Sequence, residues 1–219
     1  SINQLTASPT WIVDPVDGTT NFVHGFPFFC VSIGFCLNRK PVVGVIYNPI
    51  LNQLFYASEG NGSFIMEGSE ATILGASPKR LGEQIIELPS SLSEALLTTE
   101  YGASKSPDHL NAKLDMIKTF LSEPITGRGV RSVGSAALSM CLIAQGAVDL
   151  YYEAGVHAWD VCAGCVIVKE AGGIVRNWSQ NEFDVLDRTV ICVRPSKEVS
   201  PTILKDLLSF LQPISYPRD

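Results

Sequence analysis

The sequence predicts a layered α/β protein, α+β in the way its strands and helices segregate, built on mixed sheets. Three observations lead there. Apolar strand-like runs alternate with helical patterns, but without a regular β-α-β rhythm. The 219 residues are 46% hydrophobic and 17% charged, an ordinary globular composition long enough to bury a large core. No internal repeat or low-complexity tract interrupts the chain. We therefore expect one domain over 1–219, with a first sheet region to about 125 and a second α/β region over about 126–219.

The elements follow in order. Residues 10–14 and 28–37 read as buried strands, and 41–50 and 53–60 as strands joined by a turn at 48–52. "GNGSFI" continues that meander. Residues 67–93, with Gly68, Gly75, Pro78, Gly82 and Pro89, read as a loop-rich connection. "EALLTTEYG" (94–102) resumes as a strand, and 106–122 is an amphipathic helix capped by Ser106. Residues 129–146 give a strand stub, a Gly-Ser turn and a helix closed by Gly146. "AVDLYYEAG" (147–155) is a strand. A helix starts at Asp160, after a buried Trp159, and stops at Gly172 and Gly173, which supply a strong C-terminal signal. A strand near 189–194 and a helix near 199–211 close the chain.

Composition excludes several classes of function. Sixteen basic and 22 acidic side chains give a net charge of −6, and no Lys/Arg block or aromatic-basic interleaving is present, so no nucleic-acid partner is expected. The longest apolar stretch, 26–37, is broken by Pro27 and Gly34, while a bilayer span needs about 20 residues; it reads as core, and no membrane partner is expected. No basic-then-apolar leader opens the chain. Six cysteines in apolar surroundings fit no disulfide framework, which points to a reducing, cytoplasmic setting. Cys162 and Cys165 form a C-x-x-C, yet free cysteine is a small buried hydrophobe and packing is the reading here.

Chemistry concentrates in "WIVDPVDGTTNF" (11–22). Pro15 holds Asp14 extended at the end of a strand. Asp17 can turn back beside it in a tight turn relaxed by Gly18. Two carboxylates that close repel, and a hard divalent cation such as Mg²⁺ relieves the repulsion. Thr19 and Thr20 fall where a helix starts, a place suited to an anion. A cation pocket joined to a phosphate pocket implies metal-assisted phosphoryl chemistry; the plain alternative is a capped turn. Asp160 in "HAWDVCAG" reads as an N-cap, and Gly134, Ser135 and Ala136 as a second Gly-Ser helix entry. We expect Asp14, Asp17 and Asp160 to converge on one cation.

"WIVDPVDGTTNFVHGFP" followed by "WDVCAGCVIVKEAGG", with "GVRSVGSAALSMCLIAQGAVDLYYEAGVHAWD" between them, resembles the inositol monophosphatase family. The resemblance covers nearly the whole chain outside 67–93. It implies a layered α-β-α-β-α sandwich of the sugar phosphatase type, usually a homodimer. It also implies Mg²⁺-dependent hydrolysis of inositol monophosphate by metal-activated water, without a phosphoenzyme. By the same resemblance Asp14 bridges two magnesium ions, the Val16 carbonyl serves the first, and Asp17 and Asp160 hold the second. Gly18 and Thr19 contact the phosphate, and Thr19 orients the attacking water. Gly134, Ser135 and Ala136 line the substrate, Glu153 and Asp160 bind inositol hydroxyls, and Asp160 protonates the departing oxygen. Taken alone, Glu153 reads as a solvated acid at a strand end.

The family also carries a segment before this motif, with a glutamate that ligates the first metal. Nothing in "SINQLTASPT" supplies it, so the resemblance implies an N-terminally incomplete chain. Two other readings remain at this level. One is a phosphatase for a nucleotide 3′-phosphate or a sugar bisphosphate; the other is a non-catalytic protein on the same scaffold. Ser/His hydrolysis is poorly supported, with three histidines and no G-x-S-x-G elbow.

Overall fold

A computed structural model describes residues 5–68, 75, 77–83, 87–102, 104–179, 181–197, 201–214 and 216. Parts of the 67–93 connection and the start of the helix expected at 199 lie outside the described residues.

The first half is a meander because short turns join strands of two-residue periodicity. Strands β1 (Thr10–Asp17), β2 (Cys30–Leu37), β3 (Lys40–Asn48), β4 (Gln53–Ser58), β5 (Gly62–Glu67) and β6 (Lys79–Arg80) form an antiparallel sheet in chain order. A second, mixed sheet has the order β10 (Ile174–Arg176), β11 (Thr189–Val193), β9 (Leu150–Ala154), β7 (Leu96–Thr98), β8 (Gly129–Arg131). Strand β7 runs parallel to β8 and β9, while β11 is antiparallel to β9 and β10. Helix α1 (Thr19–His24) follows β1, and α2 (Pro107–Leu121), α3 (Ala136–Gln145), α4 (Ala158–Glu170) and α5 (Pro201–Phe210) follow strands of the second sheet or its edge. Strand β7 and helix α2, although they precede residue 126, belong with the second sheet.

The layers follow from which face each residue type lines. Helix α4 is apolar nearly all round, from Val161 to Val168, the pattern of a helix with no solvent face. It lies with α3 between the sheets, in a core that takes Ile12, Cys36, Ile46 and Phe55 from one sheet and Tyr151, Val190 and Cys192 from the other. Intervening residues Leu150, Tyr152, Ile191 and Val193 point to the far side and meet Met116 and Phe120 of α2 and Ile203, Leu207 and Phe210 of α5. Sheet, helices, sheet, helices is the resulting sequence of layers.

The outer face of the first sheet is also apolar. A row runs across it in register, Val13–Ile33–Val45–Tyr56–Phe64, yet Trp11 is 64% and Val13 48% exposed. The expectation that 10–14 is a buried strand therefore holds for only one face, that of Ile12.

Helix α4 approaches the first sheet over paired glycines. Gly34 and Gly44 are opposite each other, and a Cβ on Gly44 would stand 2.2 Å from the Ala163 carbonyl oxygen. Gly44→Ala is expected to lower the melting temperature by roughly 5 °C, because such overpacking costs about 1–3 kcal/mol. Thermal denaturation checks this, and an unchanged midpoint would contradict the close approach.

Several boundaries differ from the sequence reading. Strand β2 starts at Cys30, not 28. The run 94–102 holds only three strand residues, preceded by a 3-10 turn at Leu92–Glu94. Beyond Thr98 the backbone leaves the sheet: Thr99 N–H still bonds to Arg131, and Glu100 turns to the neighbouring loop. Ser106 caps α2 by accepting from the His109 N–H, and all six cysteines are buried free thiols.

Candidate active site

Strand β1 does not end at Asp14. It continues to Asp17 through a bulge: Asp14 pairs with Ser32 and Asp17 with Cys30, so three steps on β1 match two on β2. Residues three apart on a regular strand face opposite sides. The extra residue restores one side and aims both carboxylates the same way. The expected tight turn between them is thus replaced by a bulge, with the Val16 N–H donating to Asp14 Oδ1 at 3.0 Å.

The chain then reverses at Gly18, with φ 90°, and enters α1. A Cβ there would stand 3.0 Å from the Phe28 carbonyl oxygen and 3.1 Å from that of Gly134, so only glycine fits. The Thr19 hydroxyl donates back to the Val16 carbonyl at 3.0 Å. Asn21, which no motif in the sequence marks, clasps the entrance by donating to Phe28 O at 2.6 Å and Val133 O at 2.7 Å.

The third carboxylate arrives on α4. His157, not Asp160, occupies the N-cap, and Asp160 sits in the first turn, its Oδ2 accepting the His157 N–H at 2.7 Å. That is the reciprocal half of a capping box. Trp159 is half-buried, not buried, and His157 and Trp159 stack with centroids 4.3 Å apart. Asp14, Asp17 and Asp160 each place a carboxylate oxygen within 4.8 Å of the others. The expected convergence is present.

This grouping is electrostatically costly without a cation. Burial, opposed by donors from Ser135 and Ala137 and reinforced by Asp14, pushes Asp17 up to about 6. Burial and then the charge of Asp17 push Asp160 up to about 8. Hard oxygen donors this close, with Asp17 and Asp160 both raised, suit a divalent cation.

A cleft of about 350 Å³ opens beside the three acids, lined by Asp14, Val16, Asp17, Gly18, Thr19, Glu153 and Asp160 among the predicted residues. Gly102, Ser104, Gly155, His157, Trp159, Arg188 and Tyr216 complete its wall. Glu153 is 8% exposed, not a solvated strand-end acid, and its Oε2 accepts the Tyr151 hydroxyl at 2.7 Å. Burial drives its carboxyl well above the usual range.

Gly134, Ser135 and Ala136 stand behind Asp17. The Ser135 hydroxyl donates to Asp17 Oδ2 at 2.6 Å, as does the Ala137 N–H at 2.7 Å, and Ser135 also caps α3. Glu100 fixes this loop, accepting the Val133 and Gly134 N–H groups on one oxygen at 2.7 and 2.9 Å. An acid just past a strand, before a glycine, was the signal available for it.

The profile of the inositol monophosphatase family matches residues 1–210. Inositol monophosphatase 1 of Bos taurus is 40% identical over 93% of this chain and 67% of its own length. Inositol monophosphatase 3 of Solanum lycopersicum is 46% identical over 85% of this chain and 64% of its own. The chain thus spans about two thirds of the length of these curated relatives. The solved structure of an inositol monophosphatase from Anabaena (Nostoc) superposes with a TM-score of 0.74, at 31% identity, over 95% of this chain and 73% of that one. The chain belongs to the inositol monophosphatase family.

Proposed function

We propose that this chain carries the active site of a Mg²⁺-dependent phosphate monoester hydrolase that converts inositol monophosphate to inositol and inorganic phosphate. The observation that carries the reading is the meeting of Asp14, Asp17 and Asp160 at the mouth of a polar cleft, beside Gly18 and Thr19. Those three carboxylates and the Val16 carbonyl would hold the metal. When bound, Mg²⁺ supplies charge neutralisation at the phosphate and activation of water for in-line attack.

The remaining work falls to side chains. The reversal at Gly18 brings the backbone of Gly18 and Thr19 to the cleft wall, where it would meet a phosphate. Thr19 donates its own proton to Val16, so its lone pairs can accept a proton of the attacking water and aim it. Glu153, braced by Tyr151, takes substrate hydroxyls. The attacking water gives its oxygen to phosphorus, and a proton from water, passed on by Asp160 directly or through a second water, reaches the ester oxygen as its bond to phosphorus breaks. Six buried free thiols support a cytoplasmic setting, and we carry a homodimer as part of the same reading, to be checked by sedimentation.

Inorganic phosphate release, measured on the protein as its cell makes it, tests the proposal. Inositol monophosphate should be hydrolysed with saturable Mg²⁺ dependence, and a nucleotide 3′-phosphate or sugar bisphosphate more slowly. Preference for either of the latter overturns the substrate, and no release from any overturns the enzyme. Thr19→Ala should lower kcat on the order of 10²-fold while moving KM little, because its contribution lies in the attack.

A further inference from the structure

We propose that Lys113 is a positioning residue for Glu153, and through it a determinant of which phosphate esters the cleft accepts; the inference rests on the function proposed above. Lys113 belongs to α2, where its neighbours on the buried face are Met116 and Phe120. It is only 4% exposed. Lysine is almost never buried this fully without compensation. Its Nζ donates to the Tyr101 carbonyl at 3.0 Å and the Ala154 carbonyl at 2.8 Å. Ala154 immediately follows Glu153, and Tyr101 immediately precedes Gly102 of the cleft wall.

The ammonium therefore lies directly beneath that wall. A Cβ on Gly102 would stand 2.4 Å from Nζ, and Nζ lies 5.8 Å from the ring centre of Tyr216, another wall residue. Three acidic or polar groups bear on Glu153 besides Lys113: the Tyr151 hydroxyl, Glu100 and Asp160. Burial and the two acids disfavour its ionised form; Tyr151 and Lys113 favour it. The influence is mutual, since Glu153 and Glu100 hold up a lysine that burial and Lys105 push down.

An ionised Glu153 accepts hydrogen bonds from substrate hydroxyls on the oxygen that Tyr151 leaves open. A protonated one offers a donor where an acceptor is needed. Packing alone would not call for lysine: an apolar side chain would fill the junction of α2 and β9 at lower desolvation cost, as Met116 does next to it.

Lys113→Met keeps the side-chain length and removes the charge. KM for inositol monophosphate should rise about tenfold, the scale of one charge-assisted hydrogen bond, with kcat nearly unchanged. For p-nitrophenyl phosphate, which presents no hydroxyl to Glu153, kcat/KM should stay within about twofold. In a Glu153→Gln background the same substitution should add less than about twofold, the mark of two residues acting as a unit. Lys113→Gln, which retains a donor for the two carbonyls, should repeat the pattern if Lys113→Met fails to fold. Equal losses on both esters, or additive losses in the double variant, would overturn the inference in favour of a purely structural lysine. A parent protein inert on both esters would overturn the phosphatase reading instead. The tenfold difference is then read as inositol monophosphate affinity by calorimetry, under the same criteria.

Discussion

Magnesium is expected to raise the melting temperature, and Asp14→Asn to abolish most of that rise and to lower phosphate release on the order of 10³-fold, the upper range for losing one preorganised charge-stabilising group. Asparagine matches aspartate in shape, and its Oδ1 can still accept the Val16 N–H that fixes the bulge. The fold is therefore kept while the charge is removed. In the parent protein, a cation that binds only the folded state adds about 2.7 kcal/mol at a hundredfold excess over its dissociation constant. For a chain of this length that is roughly 5–10 °C. Melting curves across a magnesium titration, run beside the phosphate assay, check both halves. A variant that retains the magnesium response would remove Asp14 from the metal site.

The second large effect concerns pH. Asp17 is pushed up to about 6 and Asp160 to about 8, chiefly by burial, and Glu153 is raised as well. A carboxyl raised in the folded state binds its proton more tightly there than in the unfolded chain. Its contribution is then fully present below the ordinary carboxyl range and is lost as pH climbs through the folded value. In chelator, stability should accordingly drain away between about pH 4 and pH 8. Asp160→Asn separates this from the background of other acids. It should leave the chelated protein's midpoint near that of the parent at pH 4 and raise it by roughly 5 °C at pH 8, a few pKa units converted at a fraction of their full weight. Saturating magnesium should reverse the order, because the parent alone gains the full set of ligands. Equal midpoints at pH 8 in chelator would contradict the account of the charge cluster.

Much of this arrangement was legible in the sequence, and the parts that were not have identifiable reasons. The meander could be read because its strands alternate and short turns join them. Helix α4 could be read from Gly172 and Gly173, and the three aspartates from their places at strand and helix ends. The bulge between Asp14 and Asp17 could not, because it exists only in the register against Ser32 and Cys30. The shortness of β7 had the same origin: parallel pairing to β8 and β9 ends where Glu100 turns to the Val133 loop. Asp160 reads as a cap in the sequence because aspartate is favoured there, but His157 claims that position and leaves Asp160 to face the cleft. Lys113 gave no sign at all. On a helix with polar neighbours a lysine reads as solvated, and only the packing of α2 against the end of β9 buries it. Tyr216 lies outside any periodic pattern, and its place in the cleft wall comes from the path of the chain after α5.

The proposed chemistry requires two distant segments of this chain to build one divalent-cation site facing a phosphate. Crystals grown with manganese in place of magnesium, together with inorganic phosphate, test it most directly through the anomalous signal of the metal. An anomalous peak is expected within ligand distance of Asp14, Asp17 and Asp160, with phosphate oxygens between that peak and the backbone of Gly18 and Thr19. A map with manganese bound elsewhere and these three carboxylates bare would contradict it.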